Sequence, residues 1–181
     1  GLGDVYKRQG ITLVLFVVFI AIFAPLIIPP EYATRMDMRA RLSPPDFNHW
    51  LGTDQLGRDL FYRVMLGAQT SIKIATSAVL MSLLIGLPLG LVSGYFGGRV
   101  DNVLMRLVDT LLSFPALLLA LTISAVLGPN MQNTIIAIGI AFTPYLARLI
   151  RGEALRVSQM PYVEAAISSG ATNLRLIIGH V

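Results

Sequence analysis

Residues 74–96 read IATSAVLMSLLIGLPLGLVSGYF, a run that contains no charged side chain. An α-helix rises about 1.5 Å per residue, so about 20 apolar residues cross the ~30 Å hydrocarbon core of a bilayer. A backbone in lipid must satisfy its own hydrogen bonds, which a helix does within one segment. The run therefore predicts a transmembrane helix, and this prediction sets the class of the whole protein.

A ridge of small residues runs along this segment with a step of four. Its members are Ala78, Ser82, Gly86, Gly90 and Gly94. In lipid, such a ridge lets two helices approach backbone to backbone. Glycine is frequent in membrane helices, so chance is the alternative, but the regular step favours a packing face against a neighbouring span or a partner subunit.

Composition agrees with a membrane protein. The chain of 181 residues is 55% hydrophobic and 13% charged, with a mean hydropathy of +0.70, whereas soluble domains have about 25% charged residues. The absence of cysteine excludes disulfides and thiolate chemistry. The net charge of +4 is not gathered into basic patches with interleaved aromatic residues, so we expect no nucleic-acid partner.

Three more apolar segments, residues 10–28, 110–127 and 134–150, predict further spans. Residues 10–28 exceed the apolar part of a secretory signal, about 7–15 residues, and lack an A-x-A cleavage site. Pro115 and Pro144 predict kinks in the third and fourth spans. The predicted fold class is therefore an all-α polytopic transmembrane helical bundle with four spans. Residues 1–9 differ in character from the rest of the chain and are expected to be disordered or non-native.

The distribution of Lys and Arg gives the orientation. With four spans, the N-terminus, the segment near residues 99–106 and everything after residue 150 lie on one side, which has the larger share of the 14 basic residues. The positive-inside rule places that side in the cytoplasm. Residues 29–71 then form an extracytoplasmic loop, residues 151–181 are cytoplasmic, and the spans between them lie in the lipid membrane.

The extracytoplasmic loop contains the stretch LGTDQLGRDLFYRVMLGAQTS, residues 51–71. Gly52 and Gly57 suit tight turns, and Asp54, Arg58 and Asp59 can pair within a compact loop. Two carboxylates so close together are also compatible with metal binding or acid–base catalysis. Because no second histidine lies beside His49, a structural cluster of ion pairs is the favoured interpretation.

A short polar stretch, RGEALRVSQMPYVEAAISSG, follows the last span as residues 151–170. Pro161 suits the first turn of a helix and Gly170 the position just past its end. The pattern predicts a helix of about two turns over residues 162–169. Alone in water it would be marginal, so we expect it to dock against another surface, although an ordinary Ala-rich amphipathic loop helix remains the alternative.

Both stretches resemble one family. Glu164-Ala165-Ala166 followed by Gly170 resembles the EAA loop of ABC-importer permeases, although the family pattern continues to a Leu-Pro that this chain does not reach. Residues 51–71, with Thr53 in the LGTD element, resemble the signature of the dipeptide, oligopeptide and nickel permease subfamily. They depart from it at Tyr62, where Ser is usual, and at Gln69, where Arg is usual.

The resemblance implies a function and a set of partners. It implies a permease subunit that moves peptides or related solutes, such as nickel complexes, across the bacterial cytoplasmic (inner) membrane. Partners would be ABC ATPase subunits that bind ATP and magnesium, a second homologous permease subunit and an extracytoplasmic solute-binding protein. The residues implied in ATPase coupling are Tyr162, Glu164, Ala165, Ala166 and Gly170. Family members usually have six spans, so residues 10–181 are expected to be an incomplete transmembrane domain.

Missing motifs narrow the alternatives. The only lysines, Lys7 and Lys73, lie in no Gly-rich phosphate loop, and no G-x-S-x-G or H-E-x-x-H motif occurs. We therefore predict no catalytic residue, no metal site and no cofactor bound by this chain. A proton- or sodium-coupled secondary transporter is the alternative, but it would need coupling-ion ligands deep in the spans. An integral membrane enzyme would need a nucleophile and base there, and the spans have no His or Cys.

Overall fold

The computed structural model describes residues 2–29, 31–170, 172, 173 and 176. Within this part the chain forms seven α-helices and one 3₁₀ turn, Met38–Ala40, and no strand beyond an isolated bridge between Thr53 and Asp59. The helices are α1 (Leu2–Ile27), α2 (Glu31–Thr34), α3 (Leu60–Phe96), α4 (Gly98–Leu112), α5 (Ala116–Leu127), α6 (Met131–Ser158) and α7 (Pro161–Ser168). The predicted all-α class is confirmed.

Three helices, α1, α3 and α6, are long and apolar enough to cross a membrane, and α4 with α5 forms a bent pair that counts as a fourth span when taken together. The predicted multi-pass helical architecture is therefore confirmed. The chain divides into two compact units, Gly1–Ile74 and Ala75–Val181. The first unit contains the loop that precedes α3, and the second contains the packed helices and α7.

Helix α1 begins at Leu2 and so includes residues 2–9, and the alternative that these residues are non-native stays a prediction. Asp4 in the first turn favours this start, because a carboxylate stabilises the positive end of the helix dipole. Large apolar side chains such as Val14 and Phe16 remain exposed along the helix, as expected for contact with lipid. The helix ends at Ile27, one residue short of the predicted span.

Helix α3 begins at Leu60, well before the predicted start at residue 74. The cause is Asp59, whose Oδ1 accepts hydrogen bonds from the backbone N–H groups of Phe61 (2.8 Å) and Tyr62 (3.3 Å). A side chain that satisfies these first N–H groups starts a helix. With 37 residues, α3 is about 55 Å long and exceeds the ~30 Å core. The last part of the predicted extracytoplasmic loop is therefore a helical extension of the span.

The third span is broken more sharply than the predicted kink, since α4 and α5 meet at 84°. Pro115 lacks an N–H, and its ring disfavours helical backbone at the preceding residue. The hydroxyl of Ser113 donates to the carbonyl of Thr110 at 2.6 Å, which helps to satisfy the end of α4. Helix α5 has 12 residues and is about 18 Å long, too short to cross the core alone.

The small-residue ridge of α3 packs against α6. Its five members, Ala78, Ser82, Gly86, Gly90 and Gly94, are all buried. A Cβ atom added at Gly90 would lie 2.6 Å from the carbonyl oxygen of Ala147, and one at Gly94 would lie 2.6 Å from the Cβ of Ala154. The hydroxyl of Ser82 donates to the carbonyl of Gly139 at 2.7 Å. The two helices thus touch backbone to backbone, which side chains larger than hydrogen would prevent.

Candidate coupling site and signature loop

Helix α7 follows α6 after a turn of two residues. The N–H of Met160 bonds to the carbonyl of Val157 at 3.0 Å, and the N–H of Val163 bonds to the carbonyl of Met160 at 2.9 Å. Pro161 is the first residue of α7, where its missing N–H leaves no bond unmade. Gly170 ends the segment with a φ of +83°, a conformation that favours glycine.

The two faces of α7 differ. Val163 is completely buried and Ala166 is half-buried, so this face is turned away from solvent. The other face exposes Tyr162 and Ala165, and exposed Ser169 follows on the same side just past the end of the helix. The backbone of Glu164 is helical, but its side chain lies outside the described residues. An exposed face of mostly small residues is a surface that a partner can approach closely.

A cluster of polar side chains joins α3, α4 and α6. The guanidinium of Arg151 binds the carboxylate of Asp101 through two contacts of 2.5 Å, Nε to Oδ1 and Nη2 to Oδ2. The hydroxyl of Ser93 donates to the same Oδ1 at 2.5 Å. The sequence alone does not reveal this cluster, because Arg151 lies 50 residues after Asp101 and only the fold brings the two together.

A second ion pair joins α4 and α6 in place of the pair that local spacing favours. The i, i+3 spacing of Arg106 and Asp109 favours a pair within α4, but Asp109 pairs with Arg148 of α6. Both side chains are more than half exposed. The only sequence signal for either cross-helix pair was the placement of the two Asp residues two turns apart on α4 and of the two Arg residues one turn apart on α6.

The signature loop is built around two glycines with positive φ. Gly57 has a φ of +70°, and a Cβ there would lie 1.7 Å from the carbonyl oxygen of Asp37. Gly52 has a φ of +72°, and its Cβ would lie 2.5 Å from the carbonyl oxygen of Ser43. Side chains are therefore excluded by both conformation and space. Buried Thr53 lies between these turns, and its hydroxyl donates to the carbonyl of Ala40 and accepts from the N–H of Ser43.

The two carboxylates of the loop have separate partners. Asp54 accepts from the N–H groups of Leu56 (2.8 Å) and Arg58 (3.0 Å), and it forms ion pairs with the guanidiniums of Arg58 and Arg63. Asp59 caps α3, and its Oδ2 lies 2.8 Å from Nδ1 of His49. Within the described residues, no group of three or more His, Asp or Glu side chains could hold a metal ion.

These contacts predict how acid acts on the loop. Desolvation alone would raise the pKa of Asp54, but hydrogen bonds from Arg58 and Leu56 outweigh it and lower the pKa from 3.8 to about 2. Because the folded state has the lower pKa, the stabilisation is complete above 3.8 and is lost as pH falls towards about 2. The single Trp, Trp50, directly precedes this loop, and its ring lies 5.0 Å from that of Phe61. We expect its fluorescence to change across this interval.

The matched variant is Asp54→Asn, which keeps the shape of the side chain and removes its titration. It should lose the acid transition and show a loosened loop at neutral pH. An identical acid transition in the wild type and in Asp54→Asn would contradict the assignment to Asp54.

Comparison with known proteins adds an independent finding. The family model described as "Binding-protein-dependent transport system inner membrane component" matches residues 86–181. Those residues contain the end of α3, the bent pair α4–α5, α6 and α7. The match therefore includes the polar cluster and the exposed face of α7 described above.

Curated relatives match nearly the whole chain. The probable D,D-dipeptide transport system permease protein DdpC of Escherichia coli is 41% identical over 97% of this chain and 60% of its own length. The oligopeptide transport system permease protein OppC of Bacillus subtilis is 38% identical over 95% of this chain and 56% of its own length. The glutathione transport system permease protein GsiD of Pectobacterium atrosepticum is 37% identical over 93% of this chain and 56% of its own length. The chain thus spans less than two thirds of the length of these relatives.

Proposed function

The chain belongs to the family of binding-protein-dependent transport system inner membrane components, and on this premise we propose that it is part of the permease subunit of an ATP-driven importer. The solute is a peptide or a peptide-like molecule, since the relatives are named as transporters of D,D-dipeptides, oligopeptides and glutathione. Transport of nickel complexes stays a prediction from the signature loop alone. The location that follows from the family is the inner membrane of a bacterium.

The observation that supports this proposal best is the exposed face of α7. It presents Tyr162 and Ala165, with Ser169 just past the end of the helix, while Val163 of the same helix is completely buried. A separate ATPase subunit would hold this helix in a groove and would bind ATP and magnesium itself. Closure of two such subunits around ATP would displace α7 and, through the two-residue turn, α6. The permease would then change between inward-open and outward-open states, whose populations the ATPase shifts.

The remaining partners follow from the same premise. A second, homologous permease subunit would complete the substrate path. A solute-binding protein would deliver substrate on the extracytoplasmic side, where the signature loop lies. The ion pairs of Asp54 and the close approaches at Gly52 and Gly57 give that loop a defined shape, which a docking surface needs.

The arrangement of carboxylates disfavours a secondary transporter. In the described helices, α3 and α5 contain no Asp or Glu, and α6 contains only Glu153 near its end. Helix α4 contains Asp101 and Asp109, and each forms an ion pair with an Arg of α6. Glu153 pairs with Arg156 at 2.7 Å, whereas coupling-ion sites lie near the middle of the membrane on discontinuous helices. The charges present thus join helices together or lie at their ends.

Transport assays on the complete complex test the proposal. With the full-length permease and its ATPase in proteoliposomes, import of a labelled peptide should require ATP. It should cease when the phosphate-loop lysine of the ATPase is replaced, while the complex stays assembled. Uptake that persists with the inactive ATPase and follows a proton or sodium gradient would instead establish a secondary transporter.

A further inference from the structure

The carboxylate of Asp101 is the meeting point of three helices. It accepts two hydrogen bonds from Arg151 of α6 and one from Ser93 of α3, all at 2.5 Å. Ser93 is fully buried, and the side chains of Asp101 and Arg151 are 14% and 30% exposed. This two-contact geometry fixes the mutual position of the charged groups as well as their distance.

The burial of this cluster distinguishes it from the other α4–α6 ion pair. Loss of one partner of a shielded pair leaves an uncompensated charge, so such a pair resists separation. The Asp109–Arg148 pair joins the same two helices, but its side chains are 55–58% exposed, and exposed pairs contribute little. Among the described residues, the hydrogen bonds and ion pair of the Asp109 and Arg148 side chains join α4 to α6 and do not extend to α3. The two ion pairs therefore join the same helices but differ in their exposure to solvent, and the Asp101–Arg151 pair also binds Ser93 of α3.

The cluster also lies where α3 and α6 are in close contact. A Cβ at Gly94, the residue after Ser93, would lie 2.8 Å from the carbonyl oxygen of Arg151. From Arg151 onward, α6 continues without a break to Ser158, and α7 begins at Pro161. A displacement of α7 thus enters the bundle through the last two turns of α6 and reaches Arg151 before it reaches the middle of the helix.

We propose that Ser93, Asp101 and Arg151 form a clasp that makes α3 and α4 move together with α6 when α7 is displaced. This inference rests on the proposed function. The three residues are positioning residues, since they act through the helices they join and not on substrate. Without the clasp, α6 moves against α4 and α3, and ATP hydrolysis proceeds without a matching change in the substrate path.

The test measures substrate imported per ATP hydrolysed by the complete complex in proteoliposomes. Asp101→Asn keeps the shape of the side chain but removes its charge, and it should lower this ratio roughly fivefold or more while hydrolysis continues, a loss within the usual range of coupling between sites. Ser93→Ala should cause a smaller fall in the same direction. The exchanged double variant, Asp101→Arg with Arg151→Asp, should recover part of the loss.

Asp109→Asn is the matched control. It removes an ion pair between the same two helices and should keep the wild-type ratio. A wild-type ratio in Asp101→Asn would overturn the clasp while leaving ATP-driven import by the wild type intact. If Asp101→Asn reduces the amount of assembled complex, the test rests on Ser93→Ala, because this variant keeps the ion pair. A wild-type ratio in Ser93→Ala would then overturn the clasp. An equal loss in Asp109→Asn would also overturn it.

Discussion

Alanine at Gly90 is expected to force α3 and α6 apart, whereas alanine at Gly67 of the same helix is expected to be tolerated. The new Cβ at Gly90 would lie 2.6 Å from the carbonyl oxygen of Ala147 and 2.8 Å from the Cβ of Ile150. Neither atom is the end of a flexible side chain, so the helices themselves must shift. Overpacking of this kind costs about 1–3 kcal/mol. The ridge continues at Gly94, where a Cβ would lie 2.6 Å from the Cβ of Ala154, and at Gly86, where the nearest atoms would lie at 3.2 Å.

Gly67 supplies the control because a Cβ there would meet nothing within 4 Å. Alanine in place of glycine inside a helix stabilises it by roughly 0.5–1 kcal/mol when no clash results. Thermal unfolding of the full-length protein in detergent should therefore show a lower midpoint for Gly90→Ala and an unchanged or higher one for Gly67→Ala. Equal midpoints for the two variants would show that the ridge does not determine the packing of α3 on α6.

This packing face shows what a single sequence reveals well. The step of four between Ala78 and Gly94 is a local pattern, and in lipid small residues have a definite use. The same holds for α7, since Pro161 and Gly170 act through conformations that belong to the residues themselves. Helix bounds read from such residues agreed with the structure to within one residue.

The predicted start of α3, at residue 74, is wrong for a different reason. Residues 60–73 contain Arg63, Gln69 and Lys73, and their polarity was interpreted as a loop. The capping signal of Asp59 was present in the sequence, but a helix that continues beyond the membrane needs no apolar run there. The number of apolar residues measures the hydrocarbon core and not the length of the helix.

The sequence alone does not determine the angle at Pro115 or the ion pairs of α4. Proline predicts a break, but the 84° between α4 and α5 depends on the surfaces against which each half packs. Likewise, Asp101 and Asp109 each have basic residues nearby in the chain. In the folded protein, however, Asp101 pairs with Arg151 and Asp109 pairs with Arg148, both from α6. The clasp is a tertiary feature, visible only once α3, α4 and α6 are assembled.

An arginine in place of Ala165 is expected to prevent the ATPase from holding α7, with the largest effect of any single change on the exposed surface. Ala165 lies on the exposed face between Tyr162 and Ser169, while Val163 anchors the opposite face. A long charged side chain at the centre of a close-packed interface costs about 2 kcal/mol or more, roughly a thirtyfold loss of affinity. Tagged full-length permease should then retain little ATPase on purification, and peptide import should fall accordingly.

Gln159→Arg is the matched control, because it adds the same charge to an exposed position in the turn before α7. It leaves the exposed face of small residues unchanged, so ATPase retention and import should stay near those of the wild type. Since Ala165 is exposed, its replacement should not disturb the buried contact of Val163, and the variant should enter the membrane normally. Full ATPase retention by Ala165→Arg would show that this face of α7 is not the coupling surface. A loss of the same size in Gln159→Arg would show that the added charge, and not the close contact at Ala165, causes the effect.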